Sequence, residues 1–205
     1  MGVLIIGILL AYLLGSISSA IVISRLMGLP DPRGTGSGNP GATNVLRAGS
    51  KTAAALTLAG DVAKGWLPVF IAVQSGYFPA WMVGLIGLAA FLGHLYPAFF
   101  GFRGGKGVAT ALGVILAIHP LTGLLVLATW LLIAFILRYS SLAALVAALA
   151  APVYLALLHP EPWLIAAAGV MALFLFLRHA SNIQRLLQGT EPRIGTKRPA
   201  TDRHH

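Results

Sequence analysis

Long apolar runs divide this chain, and they constrain its fold more than any other feature. Hydrophobic residues make up 58% of the 205 residues, charged residues make up only 9%, and the mean hydropathy is +0.86. These values lie far from the averages of soluble globular domains, and a helix needs about 20 mostly apolar residues to cross a bilayer. The sequence therefore predicts an all-α integral membrane protein with little chain left for a separate soluble domain.

Gly, Pro and charged residues separate the apolar runs and set the limits of the predicted spans. We place spans near 3–23, 52–74, 79–100, 108–118, 121–137, 141–158 and 162–178. The fourth is too short to cross a bilayer at about 1.5 Å per residue, so it is either a half-span or part of the fifth, joined through His119 and Pro120. The prediction is about seven transmembrane helices, with six as the alternative. They form one membrane domain, residues 1–190, followed by a basic tail, residues 191–205.

Lys and Arg are distributed unequally among the predicted loops. They follow the odd-numbered spans, whereas residues 74–77 and 159–162 contain none. Cytoplasmic loops carry the excess of positive residues in membrane proteins. We therefore expect the N-terminus outside and the C-terminus in the cytoplasm. The same bias explains the net charge of +9. We expect no nucleic-acid partner, because no aromatic stacking surface accompanies the basic residues.

Lys64 is the exception, because it lies inside the second predicted span. Asp61 precedes it by three residues, and this spacing places both side chains on one face of a helix. A lone charge in lipid is costly, so we interpret the two residues as an internal ion pair that supports the structure. A substrate contact is the alternative.

The first of three polar segments, residues 36–44, follows the first predicted span. Its glycines match the spacing of a dinucleotide-binding loop, but no buried strand precedes them, as that fold requires. Glycines that let backbone amides converge favour an oxyanion or phosphate instead. Ser37, Thr43 and Asn44 add donors, and Arg47 adds a fork-shaped cation. The alternative is an ordinary interhelical loop.

The second polar segment is Gly104-Gly105-Lys106-Gly107. It is not a nucleotide-binding P-loop, because Gly107 and not Ser or Thr follows the lysine. Glycines and a lysine directly before a helix nevertheless form a generic phosphate cradle. The alternative is a membrane-surface lysine beside a glycine hinge.

The third polar segment contains His179 and Asn182 at the end of the last predicted span. Their spacing of three residues places them on one helical face, and His179 is the best candidate for proton handling. His94, His119 and His159 stand alone at span ends, so we interpret them as interface histidines.

Metal and cysteine chemistry have little support in the sequence. The chain has no Cys, its five acidic residues are widely separated, and its only adjacent histidines are His204 and His205. We expect no metal and no cofactor.

Taken in order, the three segments resemble the bacterial membrane acyl-phosphate:glycerol-3-phosphate acyltransferase family. The resemblance covers nearly the whole chain, through Gly15-Ser16-Ile17 and the ranges 37–47, 61–65, 93–110 and 178–191. It implies one active site on the cytoplasmic side of the bacterial inner membrane, where phospholipid synthesis begins. The implied residues are catalytic Ser37, His179 and Asn182; substrate- or phosphate-binding Gly38, Asn39, Thr43, Asn44, Arg47, Gly104, Gly105, Lys106 and Gly107; supporting Asp61, Lys64 and Glu191; and a serine that is either Ser140 or Ser141.

The implied reaction transfers an acyl group from acyl phosphate to the 1-hydroxyl of sn-glycerol 3-phosphate, giving lysophosphatidic acid and phosphate. An acyl phosphate already carries a good leaving group, so positioning and charge stabilisation suffice without an acyl-enzyme. We expect Arg47 and Lys106 to clamp phosphate groups. Either His179 or a substrate phosphate oxygen takes the proton. The partners are then the two substrates and membrane lipid, and a monomer is compatible with such a site. A transporter of a small anion is the rival class, which polar groups concentrated at one membrane face disfavour.

Overall fold

Helices and loops account for every residue that the structure, a computed structural model, describes, which is the range 1–195. The all-α prediction is confirmed for this range, which holds no strand. Residues 196–205, including most of the predicted basic tail and His204-His205, lie outside it. The helices are α1 (Gly2–Gly15), α2 (Ser19–Leu26), α3 (Ala42–Arg47), α4 (Lys51–Gln74), α5 (Ala80–Leu95), α6 (Val108–Ile118), α7 (Pro120–Leu137), α8 (Ser140–Leu158), α9 (Pro162–Arg178) and α10 (Ala180–Leu187), with a 3-10 turn at Ala98–Phe100.

Between four and six helical segments of the described chain are long and apolar enough to cross a bilayer. Helices α4, α7 and α8 qualify alone, and α5 qualifies together with the 3-10 turn that follows it. Two bent pairs add one candidate each: α1 with α2, bent by 45°, and α9 with α10, bent by 62°. Helix α6 is a shorter apolar helix of 11 residues. The count of seven and the orientation stay predictions.

The first predicted span, 3–23, is not one continuous helix, and this corrects the sequence-based boundary. Helix α1 ends at Gly15, and Ser18 has an extended backbone (φ −79°, ψ 98°) before α2 begins. The Ser16 hydroxyl donates to the Tyr12 carbonyl at 2.8 Å, a side-chain bond of the kind that bends helices. The Ile17 carbonyl inside the break accepts a hydrogen bond from the Lys64 ammonium at 2.8 Å.

The short helix α6 does not merge with α7, so the alternative of one joined span was wrong. His119 separates them with an extended backbone (φ −147°, ψ 102°), and its Nδ1 accepts a hydrogen bond from the Thr122 amide that caps α7. Gly123 packs directly on Leu116, so the two helices form a hairpin.

Glycines bring the central helices close together. Gly15 of α1 and Gly93 of α5 each leave no room for a methyl group beside the partner's backbone, and Gly65 of α4 and Gly113 of α6 pack in the same way. Small residues allow this close approach between membrane helices. Helix α6 consequently lies at the centre of the bundle, in contact with α4, α5, α7, α8 and α9.

One end of the bundle carries residues 27–50, 96–107, 138–139 and 179–195, and we call it the motif end. Loops 75–79 and 159–161 lie at the opposite end, where the rings of His119 and His159 stack with centroids 5.4 Å apart. Residues 191–195 pack against the motif end, since the Arg138 guanidinium donates to the Ile194 carbonyl at 2.8 Å.

Candidate active site

The three polar segments meet at the motif end. The Lys106 ammonium donates to Asn182 Oδ1, which joins the second segment to the third. The hydroxyls of Thr43 and Ser140 lie 3.4 Å apart, which joins the first segment to the start of α8. Arg47, at the end of α3, acts electrostatically on Lys106. Groups separated by more than a hundred residues thus share one site.

Asn44 organises the first segment from inside. Its side-chain amide donates to the carbonyls of Pro32 at 2.8 Å and Thr35 at 3.0 Å, and its oxygen accepts from the Ser37 amide at 3.0 Å. Gly36 has a positive φ of +58°, and a methyl group there would overlap the Asn44 side chain. Both amide protons of Asn44 are therefore used within the loop, and we assign it to loop structure and not to ligand binding.

Other members of the first segment face outward. Ser37, Gly38 and Thr43 are exposed, and Asn39 is half-buried. The Ser37 hydroxyl forms no hydrogen bond with any residue in the range 1–195. Arg47 is exposed as well. The side chains of Ser37, Thr43 and Arg47 are therefore exposed at the motif end.

The backbone of the second segment is held from two sides. The amides of Gly104 and Gly105 donate to the carbonyls of Leu95 at 3.2 Å and His94 at 3.1 Å, at the end of α5. The Arg178 guanidinium donates to the carbonyls of Gly104 at 3.0 Å and Gly105 at 3.3 Å. Because these two amides are already used, an anion has to find its donors further along the chain.

The first turn of α6 offers such donors. Gly107 is the N-cap residue with a φ of +86°, and a methyl group there would overlap the ring of Phe91. No side chain within residues 1–195 caps the helix, so the amides of Val108, Ala109 and Thr110 have no side-chain partner in this range. Uncapped amides at a helix start attract anions.

Glu191 fixes the third segment. Its Oε1 accepts hydrogen bonds from the Ser141 hydroxyl at 2.6 Å and the Asn182 amide at 2.7 Å, and its Oε2 accepts from the Arg185 guanidinium at 2.7 Å. Burial raises the pKa of the carboxyl, but these hydrogen bonds outweigh that effect and lower it below its usual value. Because the Asn182 nitrogen is directed at Glu191, its oxygen is left to accept from Lys106.

His179 lies in the turn between α9 and α10 and is only 3% exposed. Its Nδ1 is 2.8 Å from the Leu175 carbonyl oxygen. A carbonyl can only accept, so Nδ1 carries the hydrogen, and Nε2 of the neutral ring holds a lone pair. His179 therefore has a nitrogen that can accept a proton, and Lys106, Glu191 and Arg178 all act on it electrostatically.

Lys106 is the most perturbed cation of the site. Burial, together with Arg185, Arg178 and Arg47, outweighs the opposing charge of Glu191 and lowers the pKa of Lys106 to about 8. Among residues 1–195, three arginines and one carboxylate act on this ammonium, and an anionic ligand would relieve the repulsion among the cations.

A second polar cluster lies between α4 and α5. The predicted ion pair of Asp61 and Lys64 is present, with 2.9 Å between Nζ and Oδ1. His94 joins it, because its Nδ1 is 3.5 Å from the same carboxylate oxygen. The interpretation of His94 as an interface residue was wrong, since its ring is buried in this cluster.

An apolar helix bundle with a cation-rich site at one end defines an integral membrane protein built to hold an anionic ligand. The family model for glycerol-3-phosphate acyltransferase matches residues 5–189, and this chain belongs to that family. This match confirms the family expected from the three segments. The enzymes of the family serve phospholipid biosynthesis.

Individual relatives agree over almost the full length. The chain is 59% identical over 187 residues to the glycerol-3-phosphate acyltransferase of Thioalkalivibrio sulfidiphilus, covering 91% of this chain and 92% of the relative. It is 58% identical over 197 residues to that of Bordetella petrii, covering 93% of each.

Two crystal structures have the same fold. Both are of PlsY (YgiH), an integral membrane glycerol 3-phosphate acyltransferase. The glycerol 3-phosphate form matches with a TM-score of 0.90 at 44% identity, covering 94% of this chain and 96% of that one. The lysophosphatidic acid form matches with a TM-score of 0.88 at the same identity and coverage.

Proposed function

We propose that this protein transfers a fatty acyl group from acyl phosphate to the 1-hydroxyl of sn-glycerol 3-phosphate, releasing 1-acylglycerol 3-phosphate and inorganic phosphate. The observation that carries the proposal is the contact of Lys106 with Asn182 beside the uncapped start of α6. It combines a cation, a polar amide and backbone donors that no side chain within residues 1–195 caps, which suits substrates that both carry phosphate. The glycerol 3-phosphate and lysophosphatidic acid forms of the similar PlsY structures support the acceptor and the product.

Two positions share the binding of phosphate. Lys106 and the first-turn amides of α6 hold the phosphate of glycerol 3-phosphate, while Arg47 and the Ser37 hydroxyl hold that of the acyl donor. Gly104 and Gly105 contribute by holding the loop, because their amides are bonded to α5. Asn39, Gly38 and Thr43 border the donor side in this assignment.

The chemistry is a direct acyl transfer. The 1-hydroxyl oxygen attacks the acyl carbonyl carbon, the bond from that carbon to the phosphate oxygen breaks, and inorganic phosphate leaves with the electron pair. The cations stabilise the negative charge that develops on the carbonyl oxygen. The hydroxyl proton moves to His179 Nε2, or to a substrate phosphate oxygen while His179 and Asn182 orient it. No covalent acyl-enzyme is required, because the leaving group is already activated.

We place this site on the cytoplasmic side of the bacterial inner membrane, with the N-terminus outside. The lysines and arginines in the range 1–195 lie at the motif end or in the helical turns next to it, apart from Lys64 inside α4. Cytoplasmic loops carry this excess of positive charge.

A donor comparison tests the proposal. Purified protein in lipid cubic phase is given radiolabelled glycerol 3-phosphate with acyl phosphate, acyl-CoA or acylated carrier protein in parallel. We expect lysophosphatidic acid from acyl phosphate alone, loss of turnover in Lys106→Ala, and retention in Lys51→Ala, which changes an exposed lysine outside the site. Comparable rates with acyl-CoA or carrier protein would overturn the donor assignment.

A labelling experiment tests the absence of an acyl-enzyme. Protein is incubated with acyl-labelled acyl phosphate without glycerol 3-phosphate and is then denatured. We expect no label on the protein above the level of Lys106→Ala. A stoichiometric label that glycerol 3-phosphate discharges would show a covalent intermediate.

A further inference from the structure

A buried charged cluster lies directly behind the loop of residues 104–107. Asp61, Lys64 and His94 lie within predicted spans, and they are only 3%, 5% and 7% exposed. Burying charged groups in a membrane protein is costly unless they are paired. Ionisable residues within membrane spans mark functional sites. The ion pair offsets the cost of burying Asp61 and Lys64, but it does not account for the burial of His94 beside them.

His94 holds the loop through both its backbone and its ring. Its carbonyl accepts the Gly105 amide at 3.1 Å. Its ring lies against the Cα of Gly105 so closely that a methyl group there would overlap Nε2. The Arg178 guanidinium donates a hydrogen bond to the carbonyl of the same glycine at 3.3 Å. Gly105 is therefore fixed between His94 and Arg178, and the next residue is Lys106.

The Asp61 carboxylate faces the His94 ring. Its Oδ1 lies 3.5 Å from Nδ1, and the same oxygen lies 2.9 Å from the Lys64 ammonium. That ammonium also donates to the Ile17 carbonyl at 2.8 Å, inside the break between α1 and α2. A continuous series of polar contacts thus runs from the broken first span to the back of the loop at Gly105.

We propose that His94, oriented by Asp61, is a positioning residue for glycerol 3-phosphate. Its ring supports Gly105 from behind, so that Lys106 and the first-turn amides of α6 hold the substrate phosphate at the correct depth. The inference rests on the proposed function of those groups. His94 itself touches no substrate, because Gly105 lies between them.

A purely structural ion pair makes a different prediction. Replacing both members of a buried pair by apolar residues of similar size is often neutral for stability. If the pair served only folding, the double variant Asp61→Leu/Lys64→Met would therefore bind substrate normally. If Asp61 orients His94, the same variant folds but holds the phosphate poorly.

The experiment measures steady-state kinetics and ligand-dependent unfolding of the full chain. The variants are His94→Phe, His94→Asn and Asp61→Leu/Lys64→Met. His119→Phe is the matched control, because His119 is a histidine at the opposite end of the bundle. Each protein is assayed for KM of both substrates and kcat, and its Tm in detergent is measured with and without glycerol 3-phosphate.

We expect His94→Phe and the double variant to raise the KM for glycerol 3-phosphate by about tenfold, because the ring behind Gly105 then lacks its polar contact with the Asp61 carboxylate. The kcat and the KM for acyl phosphate should change less than about twofold, since the loop binds only one substrate in this assignment. His94→Asn keeps a nitrogen near the Asp61 carboxylate but lacks the ring atoms that lie against Gly105, so it should raise the KM for glycerol 3-phosphate as well. His119→Phe should keep the kcat and both KM values of the wild type, although loss of the α7 cap should lower its Tm.

A normal KM for glycerol 3-phosphate in His94→Phe would overturn the proposal. So would equal losses for both substrates, or a wild-type KM for glycerol 3-phosphate in His94→Asn. The His94 variants leave the ion pair intact and decide the matter even if the double variant does not fold. Absence of turnover with acyl phosphate in the wild type would refute the donor, whereas the shift of Tm by glycerol 3-phosphate would still test His94.

Discussion

The titration of Lys106 gives a prediction with a definite pH window. Burial and the arginines at positions 185, 178 and 47 outweigh Glu191 and lower its pKa to about 8. Below that value the side chain is an ammonium that binds phosphate, and above it the charge is lost. We therefore expect kcat/KM for glycerol 3-phosphate to decrease as the pH rises through about 8.

The size of the decrease follows from the same value. With a pKa of about 8, the protonated share of Lys106 is about 90% at pH 7 and about 10% at pH 9, so kcat/KM should decrease about tenfold over that interval. This ratio refers to the free enzyme, whose ionisations kcat/KM reports. A bound phosphate dianion raises the pKa, so kcat at saturation should change less.

The assay uses initial rates at low glycerol 3-phosphate and saturating acyl phosphate, from about pH 6.5 to about 9.5, at constant ionic strength. Lys106→Arg is the informative variant, because a guanidinium stays charged throughout this range. We expect its profile to be lower but flat above pH 8. Lys51→Arg is the matched control and should follow the wild type.

Two results would refute this reasoning. One is a wild-type profile that stays flat to pH 9.5. The other is an alkaline decrease that persists unchanged in Lys106→Arg, which would assign the titration to another group. Spontaneous hydrolysis of acyl phosphate is measured without enzyme at each pH and subtracted.

Three further predictions concern the third segment and the orientation. Glu191→Gln should lower kcat/KM by about ten- to a hundredfold, because the charge-assisted bonds that direct Asn182 at Lys106 are lost; unchanged kinetics would remove Glu191 from the site. His179→Gln should lower kcat by about 10²- to 10⁴-fold if its Nε2 is the base; retention within about tenfold would leave the substrate phosphate as the base. The chain has no Cys, so Ser75→Cys and Gln188→Cys can be labelled singly with an impermeant maleimide. In intact cells only Ser75→Cys should react, and the reverse pattern would contradict the proposed orientation.

The sequence predicted features that depend on neighbours along one helix or loop. Apolar runs indicated the long helices, and a spacing of three residues was enough to pair Asp61 with Lys64. The same spacing predicted His179 and Asn182 on one helical face, whereas His179 lies in the turn before α10 and only Asn182 lies within that helix. Glycine-rich loops indicated where the polar groups would gather.

Contacts between distant parts of the chain could not be read in this way. His94 comes 33 residues after Asp61 and on another helix, so no periodicity relates them. Glu191 lies beyond the last helix, and only the fold shows that it directs Asn182. Arg178 directly precedes His179 in the sequence. Its hydrogen bonds to the carbonyls of Gly104 and Gly105, however, depend on how α9 packs against the loop.

Helix boundaries were missed for local reasons. The break at 16–18 lies within a run whose average hydropathy is that of one span, and a few serines scarcely change that average. His119 and Pro120 were recognised as a possible junction. The choice between a joined span and a hairpin depended on the packing of Gly123 on Leu116, which sequence spacing does not encode.

We propose that one site couples the cleavage of acyl phosphate to the acylation of glycerol 3-phosphate. A single phosphorus-31 NMR time course with purified protein resolves both substrates and both products. After the hydrolysis measured without enzyme is subtracted, we predict that acyl phosphate and glycerol 3-phosphate disappear at equal rates, that lysophosphatidic acid and inorganic phosphate appear at that same rate, and that Lys106→Ala abolishes all four changes. Release of phosphate without lysophosphatidic acid, or lysophosphatidic acid formation that leaves acyl phosphate untouched, would contradict this coupling.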